Sequence, residues 1–354
     1  MSKGKAEDNP RMKKLFLNKK LDRVPVNMSI STYAARISNM SSYEYYLNPR
    51  KAYEAQIWAK YLHGHDAGPS YNIPNGTVLD FGGDLKIPET DQVSLPKVTK
   101  RRVESPEDLA GLEVPNPKES IYAKKRFEFN SILRKNGLKI SISAGSPLGV
   151  ASDIADIQLL MRWMYQKPEL VHRLLRIATD YLLEVANWFI KEFGAENCSA
   201  FSTYPNECHA LLSPEMFAKF SLPYVKEIHN KLINKGVKRW TIHLCGNHTN
   251  NLTYWINEIK LAPRSLISIG GEMDIKHVAE TFGREHIVGG NLDTTLLQIG
   301  SPKEVYIEAK RIINKMKYNP GGFVLMPACA LPPLTPSANL QALIKAVNDF
   351  GKYD

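Results

Sequence analysis

The stretch "VPVNMSISTYAARISNM", Val24 to Met40, carries the choice of fold. Its first six residues, 24–29, read as a short strand, and the residues that follow contain no glycine. A doubly wound sheet of the dinucleotide-binding type usually has a glycine-rich phosphate turn after its first strand. That turn is missing here, so the strand opens a different parallel architecture. Further apolar segments stand at 65–71 (weakly), 139–145, 198–204, 240–245, 265–270, 286–291 and 322–327. Most precede a helical pattern. Eight short strands alternating with long helices predict an α/β fold, a (β/α)8 TIM barrel.

The helices are punctuated as helix signals require. "KPELVHRLLRIATDYLLEVANWFIKEFG" has Pro168 near its start and Gly194 past its end, with Leu170, Leu174, Tyr181, Val185 and Trp188 on one face. Ser213 and Pro214 open a second helix that stops at Gly236. Ser301 and Glu304 form a capping box, and a last helix runs from Thr335 to Gly351. The segment 72–98 breaks the alternation and is rich in Gly, Pro and Asp. It predicts a long loop inserted over the barrel mouth, with room for a small hairpin. The expected organisation is a basic N-terminal arm, 1–20, followed by a single barrel domain, 21–354.

The chain has 354 residues, is 43% hydrophobic and 23% charged, and carries a net charge of +10. Residues 1–23 hold eight Lys or Arg against three Asp or Glu, so half of the excess sits in the arm. The mildly basic remainder shows no nucleic-acid motif and suits an anionic small molecule or an acidic protein partner. No apolar run is long enough to span a membrane, and the start lacks the apolar core of a secretory signal. A cytoplasmic location follows as the expectation, and with it reduced thiols at Cys198, Cys208, Cys245 and Cys329.

In "WTIHLCGNH", 240–248, His243 and Cys245 lie two apart and so face the same side of a strand. They stand at its carboxyl end, where barrels keep their active sites. Taken alone the pair reads best as packing. Cys329 follows the eighth strand and converges on the same mouth if the fold is a barrel. One imidazole and two thiolates suit Zn²⁺, and three protein ligands leave a fourth position open, as in catalytic zinc sites.

In chain order, "LDRVPV", "SAGSPLGVAS", "LLSPEMFAKFSLPY", "HLCGN", "GGNLDTTLL" and "CALPPLTPSANLQAL" resemble the uroporphyrinogen decarboxylase superfamily, and within it the zinc methyltransferases that serve corrinoid proteins. The resemblance runs from about Leu21 to Asn348. It implies zinc on His243, Cys245 and Cys329, and a methyl group moved to or from cobalamin on a separate corrinoid protein that docks at the mouth. The true decarboxylase needs arginines after its first strand, where this chain has Arg36 alone. Decarboxylation without metal is therefore the second reading, and a non-catalytic corrinoid-binding scaffold the third.

Departures from the family pattern follow the fourth strand. Tyr204 replaces an acid, and Glu207, Cys208 and His209 replace small residues. Glu207 is a catalytic candidate, and either it or Cys208 a candidate fourth ligand. Tyr204 and Asn247 are candidates for contact with the cofactor. Asn291 and Asp293 are catalytic candidates as well, or helix-capping residues. Gly270 stands where relatives often have Asp. His248 reads as exposed, Tyr33, Tyr43, Tyr45 and Tyr46 as one helix face, and His63, His65 and Asp66 as structural. The departures point away from coenzyme M and towards a methoxylated aromatic or another methyl donor, with a thiol acceptor as the reverse direction.

Overall fold

The computed structural model describes residues 10–87, 89 and 95–354. An antiparallel hairpin pairs β1 (Asp84–Lys86) with β2 (Lys97–Lys100). The remaining strands form one parallel sheet in chain order: β3 (Ile140–Ser143), β4 (Cys198–Thr203), β5 (Arg239–Leu244), β6 (Leu266–Ile269), β7 (Ile287–Leu292) and β8 (Phe323–Pro327). Helices alternate with them and cover the outer face, as a barrel of parallel strands requires.

The first two staves are held differently from the expected strands. Around Val26 the chain bridges β8: Asn27 N donates to Leu325 O at 3.0 Å and Leu325 N to Pro25 O at 3.0 Å. Asp66 N then donates to Val26 O at 2.8 Å, which places the second stave beside the first. Residues 65–71 do not form a ladder with β3. Side-chain amides satisfy the backbone instead. Gln56 accepts from Ser70 N at 2.9 Å and donates to Ser70 O at 2.7 Å. On the open edge of β3, Asn130 does the same for Ser141, accepting from its N at 2.7 Å and donating to its O at 3.2 Å. A buried strand edge without such partners would be costly.

Part of the segment expected as a basic arm packs on the barrel. Pro10–Phe16 is a helix, and its Met12 and Leu15 are buried against Leu266, Ile287, Val324 and Met326. Leu266 and Ile287 begin their strands, so this helix closes the amino-terminal end of the barrel. Residues 1–9 of the expected arm lie outside the described residues, as do 88 and 90–94 of the inserted segment. The hairpin expected there is present. The segment is tied to neighbouring helices through Asp80, which accepts from Tyr122 N at 2.6 Å, and through Thr77, which donates to Asp153.

The helix from Ser213 is interrupted. Ser213 caps it by accepting from Met216 N at 3.2 Å, and a wider π turn follows over Phe217–Ser221 before Leu222–Asn234. Pro223 has no N–H and its ring crowds the preceding carbonyls, so the turn before it opens. The last helix begins at Ser337, two residues later than Thr335 suggested. No helix among the described residues is long and apolar enough to cross a membrane.

Candidate metal centre

On β5, Trp240, Ile242 and Leu244 are fully buried beneath helices, while Thr241 and His243 are only partly covered. His229, from the helix Leu222–Asn234, packs tilted against Trp240 with ring centres 4.4 Å apart, so the even positions face the helices. His243 therefore points into the barrel, as strand alternation demands. Its partner across the ladder is Ser268, whose Oγ lies 3.0 Å from His243 Nδ1. The other ring nitrogen, Nε2, is buried and has no partner.

That free nitrogen meets two sulfurs. Ligand atoms of His243, Cys245 and Cys329 all lie within 4.8 Å of one another, the one such group among the described residues. The sulfurs of Cys245 and Cys329 are neighbours. The neighbouring Cys245 and His243 pull the Cys329 thiol down, and Cys245 is pushed up by the same contact, by burial and by the Glu272 carboxylate. The site thus favours a thiolate before any cation enters. An orphaned imidazole nitrogen and two adjacent sulfurs fit a zinc ion, with Ser268 orienting the imidazole from behind.

The loop that carries Cys245 is fixed by close backbone approach. Gly246 has φ +84°, and a Cβ there would meet Cys208 Cβ at 2.9 Å. A Cβ on Gly270 would meet Gly246 N at 2.7 Å, so a larger residue at 270 would displace the loop that carries Cys245. His248, expected at the surface, is buried. Its Nε2 bonds Tyr204 O at 2.9 Å and Cys245 O at 3.1 Å, which anchors the turn.

The other candidates occupy distinct places. Tyr204 continues the outward row of β4 and is fully buried against Trp255 at 4.8 Å, with its hydroxyl 3.3 Å from His229 Nε2. Its side chain is packing, not a ligand contact at the mouth. Asn247 is exposed; its Oδ1 accepts from Thr249 N at 2.9 Å, and its carbonyl accepts from His209 N at 2.8 Å. Asn291 clasps the loop after β6, donating to Gly270 O at 3.1 Å and Met273 O at 3.0 Å. Asp293 caps the helix Thr294–Ile299 by accepting from Leu296 N at 2.7 Å.

Glu207 is wholly buried and contributes no atom to the metal group, and neither does Cys208. Its Oε1 accepts from Ser146 and, at 3.1 Å, from Ser221 in the π turn, while Oε2 has no partner. Burial pushes its carboxyl up to about 7, against the opposing pull of the two serines. Asn251 donates to the Glu207 carbonyl at 3.2 Å. Glu207 thus joins the loops after β3, β4 and β5 behind the metal group.

Asp66 and His63, read as structural, have partners within the protein. Asp66 is 1% exposed and binds Arg11 at 2.8 Å and Arg23 at 3.0 Å, and His63 Nε2 lies 2.9 Å from Tyr33 OH. The tyrosines do not share one helix face: Tyr33 lies on the helix Thr32–Ile37 and the others on Ser42–Leu47, where Tyr45 and Tyr46 are buried and Tyr43 is exposed.

Three residues escaped the sequence. Ser268 was one small polar residue in an apolar strand. Glu272 acts on the metal loop from the next one. Phe201 on β4 is paired with Thr241 and so faces the barrel interior, yet it is 44% exposed. Leaving that much of a phenyl ring in water forgoes on the order of 1 kcal/mol of burial.

The family model for uroporphyrinogen decarboxylase (URO-D) matches residues 7–350. The chain belongs to the uroporphyrinogen decarboxylase family. Within it, the chain is 28% identical over 191 residues to the methylcobamide:CoM methyltransferase MtbA of Methanosarcina acetivorans, covering 54% of this chain and 52% of that protein. The match thus spans about half the length of that relative. It is 26% identical over 298 residues to the uroporphyrinogen decarboxylase of Coxiella burnetii, covering 80% of this chain and 79% of that one. The solved structure titled "methyltransferase from Methanosarcina mazei" superposes with a TM-score of 0.78 at 23% identity, covering 97% of this chain and 98% of that one, a likeness of fold.

Proposed function

We propose that this member of the URO-D family is a zinc-dependent methyltransferase that moves a methyl group between a small substrate and the cobalamin of a separate corrinoid protein. The observation that carries the reading is the unpartnered His243 Nε2 within ligand distance of Cys245 and Cys329. These three residues would hold the zinc and leave one position for the substrate atom. Bound there, zinc would act as a Lewis acid on a donor's oxygen, sulfur or nitrogen, or present an acceptor thiol as the thiolate. In the donor direction the bond from methyl carbon to heteroatom breaks, leaving its electron pair on the heteroatom. A corrinoid carried by its own protein would supply the electron pair for the new bond to the methyl carbon. The residues of the chain do the positioning: Ser268 fixes the imidazole, His248 and Gly246 set the Cys245 turn, and Cys329 enters from the loop after β8. The similarity to the methanosarcinal methyltransferase and the zinc-type donor set support this reading over metal-free decarboxylation. The single arginine in the segment after the first stave, Arg36, does too, because it could not neutralise a porphyrinogen's carboxylates.

The test is metal analysis of the purified protein, followed by a screen of methylated compounds against reduced cobalamin with the methylcobalt spectrum as readout. About one zinc per chain is expected, lost together with turnover in Cys329→Ala. Turnover without zinc would overturn the proposal.

A further inference from the structure

We propose that the barrel lumen beneath the metal trio is the substrate chamber and that it takes an uncharged, flat aromatic methyl ether whose ring lies on Phe201. The inference rests on the methyltransferase reading and names its substrate class. Phe201 and Thr203 pair with Thr241 and His243, so all four side chains share the lumen face. Ser143 pairs with Phe201 and continues that face onto β3. A ring on a strand flanked by two paired strands can be 44% exposed only if the lumen beside it is open. On the opposite wall the lumen is filled, because Leu266, Ile287, Val324 and Met326 are buried beneath Met12 and Leu15. The open half is therefore the β3–β5 side, directly below His243.

The dimensions suit one ring. Two residues along a strand span about 7 Å, so a ring seated at the level of Phe201 puts a methoxy oxygen near the level of His243. Phe201 offers an aromatic face for offset stacking, and Ser143, Thr203 and Thr241 offer hydroxyls to a phenol or a methoxy oxygen. On β3–β5 the lumen-facing residues are Ser141, Ser143, Ser199, Phe201, Thr203, Arg239, Thr241 and His243, with no carboxylate among them. A quaternary ammonium donor would find no counter-charge on these three strands, and the Glu272 carboxylate faces the Cys245 sulfur instead. Arg239, at the floor, lies with its guanidinium 4.4 Å from the centre of the Phe16 ring.

The experiment is calorimetric titration of the zinc-loaded protein with 2-methoxyphenol, and with 2-methoxyethanol as a methyl ether without a ring. Saturable binding of the ring compound is expected, weakened about tenfold or more in Phe201→Ala and kept in Phe201→Tyr, with zinc content unchanged in both. In methyl transfer the same loss should appear in KM rather than kcat. No binding of 2-methoxyphenol, or equal binding to the parent and Phe201→Ala, would overturn the inference. Failure of the methyltransferase reading shows separately, as a protein without zinc or without methyl transfer from any donor. Phe201-dependent ring binding in such a protein would leave the aromatic site standing and remove only the reaction.

Discussion

Ser268 Oγ and His243 Nδ1 lie 3.0 Å apart, across the β5–β6 ladder at the position where their Cα atoms pair. The contact selects which imidazole nitrogen is left for a metal. Removing the hydroxyl frees the ring to rotate without touching any ligand atom. Ser268→Ala is therefore expected to weaken zinc binding about 10- to 100-fold, read by competition with a chromophoric chelator. Unchanged affinity would show that packing alone orients His243.

Glu207 predicts a pH dependence of stability. Burial raises its carboxyl to about 7 in the folded state, above an ordinary value of 4.5. The folded protein then holds the proton more tightly than the unfolded chain. The stabilisation is complete below the unfolded value and is lost as pH rises from about 4.5 towards 7. The full span is on the order of 3 kcal/mol. Glu207→Gln cannot ionise and should flatten this slope, so the variant gains on the parent at pH 8 relative to pH 5. Parallel slopes in urea denaturation would assign the pH dependence to other groups.

Asn130 stands in for a strand. Its amide satisfies both backbone groups of Ser141 on the open β3 edge. Asn130→Ala leaves the Ser141 N–H without a partner and its C=O with only the 3.4 Å contact from Arg126, and should cost on the order of 1–3 kcal/mol in unfolding free energy. A cost below about 0.5 kcal/mol, the range of neutral surface changes, would mean that water reaches this edge.

Asp293 is exposed and caps the helix Thr294–Ile299. Asp293→Ala should lower stability by about 1 kcal/mol and leave zinc content and methyl transfer unchanged. Turnover lost at near-parent stability would instead place Asp293 on the substrate.

The sequence by itself determined the alternation of strands and helices, most helix caps, and the His-x-Cys pair. Those features are local or periodic, written in residues one to four apart, so spacing alone reveals them. The capping box at Ser301 and Glu304 forms as the spacing requires. What only the tertiary structure decided are relationships between segments far apart in the chain. Side-chain amides of Gln56 and Asn130 replace a regular second strand, because their backbone partners come from other elements. The helix Pro10–Phe16 closes the barrel floor because Met12 and Leu15 find an apolar surface that exists only once β6–β8 have assembled. Tyr204 and Phe201, three residues apart, face opposite sides of one strand: the tyrosine is buried among helices and the phenylalanine left open to the lumen. Alternation gave both their sides, but which side was lumen and which was core depended on helices packed from elsewhere.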